Sequence, residues 1–319
     1  MTRLVERLFP RRRAREVAGS VPGPELAEDF LRTLRLESSR VADAAMSGFH
    51  ASARLGRGVE FAGFRTYVPG DDLRSLDRRR SLGEGPPLVR QYEVERDRSL
   101  LVVVDGSASM GSGEGVDDGK RRWACVLAAA LVRVAAAQGD VACAAMLAER
   151  PVVGGFLRGR SAFERAAEVL AHGSGQGGAG GVLAAPERGL EVAARRVALG
   201  AGWLVLFSDF LDEAPPVLAL LAEARSRGAR VVAVRLETAR ERDFSFPGAA
   251  RLRDPESGAV VETFGPAARA RYAGARASHR ERVEALLIAQ GVTIVDAWTD
   301  GKPEEALLRL VEAIASQTR

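Results

Sequence analysis

Residues 99–110 read SLLVVVDGSASM, and this segment is the most informative one about the architecture of the chain. Residues 100–104 form an uninterrupted apolar run, which is typical of a strand buried on both faces of a parallel sheet. The run ends at Asp105, and two hydroxyl side chains, Ser107 and Ser109, follow at alternate positions. The sequence therefore predicts a central strand whose carboxyl end carries one carboxylate and two hydroxyls.

Oxygen-bearing side chains at this spacing can converge on one small, hard cation. Magnesium takes about six oxygen ligands at roughly 2.0–2.1 Å and keeps several waters, so it suits a site with one or two carboxylates. The carboxyl edge of the sheet is also where open α/β folds bind ligands. Taken alone, the D-x-S-x-S pattern is equally consistent with a strand that runs into a Ser/Gly turn.

Strand-like and helix-like segments alternate from residue 100 onward. The predicted strands cover residues 100–104, 140–147, 152–157, 203–207, 229–236 and 292–297. The predicted helices cover residues 120–138, 162–171 (capped by Ser161), 186–199, 215–227, 265–290 and 303–316. This alternation predicts an α/β fold with a doubly wound, mostly parallel sheet and helices on both faces.

A second carboxylate, Asp209, follows the predicted strand at residues 203–207. In a doubly wound sheet this strand and the strand at residues 100–104 would be neighbours at the switch point, each feeding a helix on a different face. The nearby Asp212 is better interpreted as a cap for the next helix. We therefore predict a site for Mg²⁺ or another divalent cation with four ligands: Asp105, Ser107, Ser109 and Asp209.

Residues 1–98, which precede the alternating strands and helices, have a different pattern. Residues 24–46 predict an amphipathic helix, and residues 59–68 and 88–94 are extended candidates. We therefore expect two parts: residues 1–98, an N-terminal helix with a small β-rich module, and residues 99–319, the main domain with a β-hairpin insert at 244–264. Three aspartates of the first part are expected to be structural rather than a second metal site: Asp71, Asp72 and Asp77.

Composition and cysteine use indicate an ordinary globular protein. Of the 319 residues 46% are hydrophobic and 28% are charged, as in soluble domains. No apolar run approaches the roughly 18 residues that cross a bilayer, and the N-terminus lacks a secretory core, so we expect a cytoplasmic location. Cys125 and Cys143 lie in apolar segments and are expected to be buried and reduced.

The formal net charge of +4 arises entirely in residues 1–98, which hold 19 arginines against 15 acidic residues. The runs at residues 11–13 and 78–80 could contact nucleic acid or anionic lipid. However, all basic residues except Lys120 and Lys302 are arginine, which indicates a compositional bias, and 6% aromatic residues leave little for base stacking. A solvated, salt-bridged surface is favoured, and we expect no nucleic-acid partner.

Several spaced motifs resemble known families. The segment DGSAS at residues 105–109, with Asp209 on a later strand, resembles the metal-ion-dependent adhesion site of von Willebrand factor A domains. Three further motifs resemble the signature of the bacterial family called domain of unknown function 58, in which it leads directly into an A domain: GVEF (58–61), RTYVPGDDLRSLD (65–77) and QYEVER (91–96). The motif RDPESG (253–258) and a late helix carrying Tyr272 and His279 also fit, so the resemblance covers about residues 50–310.

The sequence departs from these patterns at three places. Arg78 follows Asp77 where the family usually has Trp, and SLG at residues 81–83 replaces its S-A-R tripeptide, with the loop extended by EGPP at 84–87. The adhesion site normally takes a Thr from a third loop, but residues 173–182 read GSGQGGAGGV, in which Ser174 carries the single hydroxyl. The resemblance then implies a water at that position or a weak site. Many family members carry transmembrane helices before the A domain, and we expect none in this chain.

The function implied by the resemblance is binding rather than catalysis. In A domains a partner's Asp or Glu completes the metal shell, and this family is associated with MoxR-type AAA+ ATPases that assemble, activate or metallate client proteins. The expectation is a metal-dependent, chaperone-like adaptor that is not an enzyme, because no general base stands next to a nucleophile. The partners would be the ATPase, a client, or both.

The alternative is a Mg²⁺-dependent phosphoryl-transfer or hydrolase enzyme. The Gly-rich residues 111–115 precede a predicted helix and could approach a phosphate. They match neither the P-loop nor the dinucleotide-binding pattern, and a haloacid-dehalogenase-like phosphatase would need a second Asp where Ser107 stands.

Overall fold

Apolar strand-length runs and amphipathic helical runs alternate along the chain, and the computed structural model folds them into one layered α/β architecture. It describes residues 24–52, 61–69, 76–77, 86–92, 98–111, 119–147, 151–172, 189–211, 215–244, 249–253 and 260–317. The strands are β1 (Phe61–Thr66), β2 (Leu88–Tyr92), β3 (Ser99–Asp105), β4 (Val141–Leu147), β5 (Val152–Val153), β6 (Leu157–Arg158), β7 (Trp203–Ser208), β8 (Arg230–Glu237), β9 (Ala249–Arg253), β10 (Val260–Phe264) and β11 (Thr293–Trp298). The helices are α1 (Pro24–Ser52), α2 (Lys120–Ala137), α3 (Gly159–His172), α4 (Gly189–Leu199), α5 (Pro215–Ser226), α6 (Ala239–Asp243), α7 (Gly265–Ala289) and α8 (Pro303–Ser316).

The main sheet has the strand order β11-β8-β7-β3-β4-β5, with β6 also paired to β4. Strands β3, β4, β7, β8 and β11 are parallel, whereas β5 and β6 run antiparallel to β4. The order reverses between β3 and β7, which pair in register from Leu100 with Trp203 to Val104 with Phe207. The predicted mostly parallel, doubly wound sheet is confirmed.

The alternation of side chains along β3 divides the core into two layers. Leu100, Val102 and Val104 pack in a cluster with residues of α1, α2, α3 and α8. Leu101 and Val103 pack on the opposite face with residues of α4, α5 and α7. Helices therefore cover both faces of the sheet, as predicted.

The N-terminal helix α1 packs directly on the main domain. It is longer than the predicted 24–46, ending at Ser52, and Leu34 and Val41 are buried in the cluster that it shares with α2, α3 and α8. Its Glu37 and Asp43 form ion pairs of 2.7 and 2.9 Å with arginines of α2. The proposed division of the chain at residue 98 stays a prediction. Helix α1, which lies before that point, packs on helices that lie after it.

Two antiparallel strand pairs lie outside the main sheet. Strands β1 and β2 form one pair, and the buried Asp77 donates its backbone N–H to the carbonyl of Leu88 at the start of β2. Strands β9 and β10 form the predicted hairpin within residues 244–264. Other predictions concern residues that lie outside the described ones: the structural role of Asp71 and Asp72, the helix cap at Asp212 and the third loop at residues 173–182.

Three local expectations need correction. The predicted strand at residues 152–157 is divided into β5 and β6, which pair separately with β4. Helix α3 begins at Gly159 rather than after Ser161, because β6 runs straight into it through Gly159, whose φ of +56° suits glycine. The short helix α6 was not expected at all. Both cysteines are buried and unpaired, as predicted, and no described helix is long and apolar enough to cross a membrane.

Candidate functional site

The candidate site lies where β3 and β7 end side by side at the carboxyl edge of the sheet. Asp105, the last residue of β3, is buried. Its Oδ1 accepts a hydrogen bond from the backbone N–H of Ser107 at 2.9 Å, and its Oδ2 accepts one from the hydroxyl of Ser208 at 2.6 Å. The strand that supplies Ser208 therefore orients the carboxylate at the end of β3.

The two serines of the D-x-S-x-S segment face each other. Their hydroxyl oxygens are 3.1 Å apart, and Ser109 is buried at the start of a 3₁₀ turn that ends at Gly111. The backbone N–H of Met110 donates to the carbonyl of Ser107 at 3.2 Å, which closes the loop. The structure thus brings Asp105, Ser107 and Ser109 together, as the sequence predicted.

The electrostatic setting of Asp105 disfavours its negative charge. Burial raises the pKa of this carboxyl, hydrogen bonds from Ser208 and Ser107 lower it, and the charge of Asp209 raises it again; the net shift is upward. A carboxylate in this setting is stabilised by any positive charge that approaches the edge.

Asp209 lies on the same edge, but its carboxylate is already engaged. Its Oδ1 accepts the backbone N–H of Leu211 at 3.1 Å. Its Oδ2 is 2.7 Å from Nζ of Lys120, the first residue of α2, and Lys120 is completely buried. The cation that the structure places at Asp209 is therefore a lysine ammonium.

The same ammonium reaches a third carboxylate, that of Glu241, whose Oε1 lies 2.5 Å from Nζ of Lys120. Glu241 belongs to α6, where it forms a capping box: its Oε2 accepts hydrogen bonds from the N–H and the hydroxyl of Thr238 at 3.0 and 3.1 Å. Its backbone carbonyl accepts the hydroxyl of Tyr272 on α7 at 2.8 Å. Lys120 thereby links α2, the end of β7 and α6, and through α6 also α7.

Lys120 retains its charge in this buried position. Burial alone lowers the pKa of its ammonium, but the negative charges of Asp209 and Glu241 and the hydrogen bonds to them raise it by more, so the net shift is upward. We refer to Lys120, Asp209 and Glu241 below as the buried ion triad.

An open cleft adjoins the buried ion triad, between the sheet edge and α7. Its arginines are paired: Arg235 lies 2.7 Å from Asp296, and Arg276 contacts Glu237. Nε2 of His279 donates to the carbonyl of Phe210 at 2.7 Å. Tyr272 and His279, which the family resemblance singled out, therefore anchor α7 to the edge.

The donor set of the loop after β3 fits the chemistry of a hard divalent cation only in part. One carboxylate and two hydroxyls are oxygen ligands of the kind that Mg²⁺ accepts alongside water. Asp209 does not fit as a fourth ligand, since its Oδ2 contacts the ammonium of Lys120, whose positive charge repels a second cation. Within the described part of the chain, no group of three or more His, Cys, Asp or Glu residues could hold a metal ion.

The sequence did not predict a role at this edge for three residues: Lys120, Ser208 and Glu241. Glu241 could have been found, because T-x-x-E at residues 238–241 is the pattern of a capping box. Lys120 carried a weaker signal, as one of two lysines among 46 basic residues. Ser208 has no distinguishing pattern of its own.

The fold and this edge define an α/β protein whose doubly wound sheet carries a polar cluster at its switch point. Residues 63–282 match the family described as "Protein of unknown function DUF58", and the chain belongs to that family. Uncharacterized protein Mb1516 of Mycobacterium bovis and uncharacterized protein Rv1480 of Mycobacterium tuberculosis are each 30% identical over 309 residues, covering 94% of this chain and 92% of theirs.

Two solved structures also share similarity with the chain. BatB from Bacteroides thetaiotaomicron is 14% identical, with a TM-score of 0.40, and the match covers 69% of this chain and 98% of that one. An aerotolerance-related membrane protein from Bacteroides fragilis is 14% identical, with a TM-score of 0.39, and the match covers 69% and 99%.

Proposed function

We propose that this chain is a von Willebrand factor A-like adaptor that binds other proteins through the carboxyl edge of its sheet. In this proposal it works with a MoxR-type AAA+ ATPase in the assembly or activation of client proteins. The observation that carries the proposal is the convergence of the Asp105 carboxylate with two serine hydroxyls beside the switch point. Open α/β sheets bind their ligands at this place.

The recognition chemistry proposed is cation-assisted binding of an acidic side chain. Asp105, Ser107 and Ser109 would hold Mg²⁺ or another divalent cation, which supplies positive charge to an incoming carboxylate. Two of these three ligands are neutral, so much of the cation's charge stays uncompensated and an Asp or Glu of the partner gains strongly from binding. No catalytic step is part of this proposal.

A hydrolase has no specific observation in its favour. The hydroxyls of Ser107 and Ser109 contact each other, and the ring of His279 binds a backbone carbonyl. Ser208 does donate to the Asp105 carboxylate at 2.6 Å, but its hydroxyl is buried and also accepts the backbone N–H of Phe210. This is a structural arrangement, not the accessible nucleophile and general base that acyl or phosphoryl transfer by a serine would use.

The adaptor proposal is tested by measuring binding to a purified MoxR-type AAA+ ATPase from the same organism by biolayer interferometry. We expect binding in Mg²⁺, a loss of at least about tenfold in EDTA, and a similar loss in the S107A/S109A variant. The matched control is S226A, because Ser226 is an exposed serine at the end of α5. Equal affinity in Mg²⁺, in EDTA and in S107A/S109A would contradict the proposal.

A further inference from the structure

Lys120 is the one fully buried cationic side chain among the described residues. It contacts Asp209, which the sequence predicted as a metal ligand. Its ammonium is 2.7 Å from Asp209 and 2.5 Å from Glu241, and none of its surface is exposed. Asp209 directly follows Ser208, whose hydroxyl donates to the carboxylate of Asp105 at 2.6 Å. The ammonium is therefore part of the same electrostatic site as the D-x-S-x-S loop.

The choice of lysine at this position is informative. The chain uses arginine for all but two of its 46 basic residues. A lysine ammonium is a compact point charge, whereas a guanidinium is a broad planar fork. A compact charge can contact two carboxylates at once, as Nζ of Lys120 contacts Asp209 and Glu241.

The placement of Lys120 also accounts for the partial fit of the donor set. Coordination of a divalent cation by Asp209 would require Oδ2 to leave the ammonium, and Lys120 would then lose one of its two carboxylate partners in a buried position. A buried charge that loses its partner is strongly destabilising. The ion pair therefore opposes metal binding at Asp209.

We propose that Lys120 is a built-in cation that competes with a divalent metal for Asp209 and keeps this carboxylate out of the metal shell. This inference deepens the proposed function and rests on its cation site at Asp105, Ser107 and Ser109. The native edge then binds a divalent cation weakly, through the D-x-S-x-S loop alone. Removal of the lysine charge releases Asp209 and creates a tighter four-ligand site.

The test is Mg²⁺ titration of the purified full chain by isothermal calorimetry, using a charge-matched variant. K120M/E241Q removes one positive and one negative charge, so the net charge of the buried ion triad is unchanged while Asp209 becomes available. We expect Mg²⁺ to bind this variant about ten- to a hundredfold more tightly than the native chain. The gain should disappear in K120M/E241Q/D209N.

The native background provides the complementary measurement. D209N and E241Q each remove one negative charge of the buried ion triad, so both should weaken the native Mg²⁺ affinity by a similar, small factor, because neither carboxylate is a ligand when Lys120 holds it. A much larger loss in D209N than in E241Q, or no gain in K120M/E241Q, would overturn the inference. Either result concerns the isolated chain and is independent of whether the ATPase binds.

Thermal unfolding tests the inference even if the variants fold poorly. K120M leaves Asp209 and Glu241 without a counter-ion, so its melting temperature should fall in EDTA and recover substantially in Mg²⁺, whereas that of the native chain should change little. A charge-retaining variant, K120R, should show no such Mg²⁺-dependent recovery. If K120M is equally unstable with and without Mg²⁺, Lys120 has only a structural role and the inference is wrong.

Discussion

At the scale of single residues, the carboxylates of this protein differ in how their charges are compensated. Within the described part of the chain, Asp105 is compensated by hydrogen-bond donors, Ser107 and Ser208, and keeps a raised pKa. Asp209 is instead neutralised by a buried ammonium. Because an uncompensated buried carboxylate attracts cations most strongly, Asp105 is the residue on which a bound cation would depend most.

Asp296 on β11 provides a residue-scale prediction about pH. Burial raises the pKa of its carboxyl, but the bond to Arg235 and the nearby Arg280 lower it by more, so the net shift is downward. A lowered folded-state pKa contributes stability that is present above the unfolded pKa of about 3.9 and is lost as the pH falls through the folded value. We therefore expect D296N to destabilise the protein by about 1–3 kcal/mol at pH 7. The free energy of unfolding of D296N should also decrease less steeply below pH 4 than that of the native chain.

Urea denaturation between pH 2 and pH 7 measures this effect. The matched control is D300N, which removes an exposed ion pair between Asp300 and Arg242 and should cost about 0–1 kcal/mol. D296N and D300N could instead have equal effects on stability at pH 7 and lose stability below pH 4 as steeply as the native chain. The partly buried pair of Asp296 with Arg235 would then contribute no more to stability than the surface pair of Asp300 with Arg242.

At the scale of elements, the sequence predicts what is local and misses what depends on distant contacts. The strands of the main sheet follow from their apolar runs, and the loop of Asp105, Ser107 and Ser109 follows from one short motif. Helix α6 has only five residues, too few for a periodic signal, and it is held by its cap and by Lys120. The ion pair of Lys120 with Asp209 joins residues 89 positions apart, which only the tertiary fold brings together.

Gly202, just before β7, provides a prediction at this scale. Its N–H donates to Val197 at 2.8 Å, and its carbonyl accepts from Arg230 at 2.9 Å, so the backbone is fixed between α4 and β8. A Cβ at this position would overlap the backbone carbonyl and hydroxyl oxygens of Ser99. We expect G202A to destabilise the protein by about 1–3 kcal/mol, because neither the backbone of β3 nor that of β7 can move without disturbing the sheet.

Gly200 offers the control for this substitution. A Cβ there would lie 3.5 Å from the Ser99 hydroxyl oxygen, an ordinary contact, so G200A should change stability by less than about 1 kcal/mol. Chemical denaturation of both variants makes the comparison. Equal stabilities would show that the chain between α4 and β7 adapts and that the close approach to β3 is not rigid.

At the scale of the whole molecule, helix α1 belongs to the packing of the main domain. Three apolar residues of α1, Val41, Ala42 and Ala45, are buried in the core cluster on one face of the sheet. Ion pairs to α2 and α3 surround this contact, among them Arg35 with Glu164 at 2.9 Å. Arg35 of α1 and two arginines of α2, Arg122 and Arg133, are therefore in salt bridges. The arginine runs at residues 11–13 and 78–80 lie outside the described residues.

Removal of helix α1 should expose part of the core. A fragment of residues 99–319 lacks α1 and leaves the apolar surface of α2, α3 and α8 uncovered, so we expect it to self-associate, bind a hydrophobic dye and melt at a lower temperature than the full chain. The matched control is the fragment 24–319, which retains α1 and should remain like the full chain. Size-exclusion chromatography with light scattering, dye fluorescence and thermal unfolding measure these properties. A monomeric 99–319 fragment with the melting temperature of the full chain would show that the main domain is stable by itself, and that α1 is present on its surface for another purpose than covering the core.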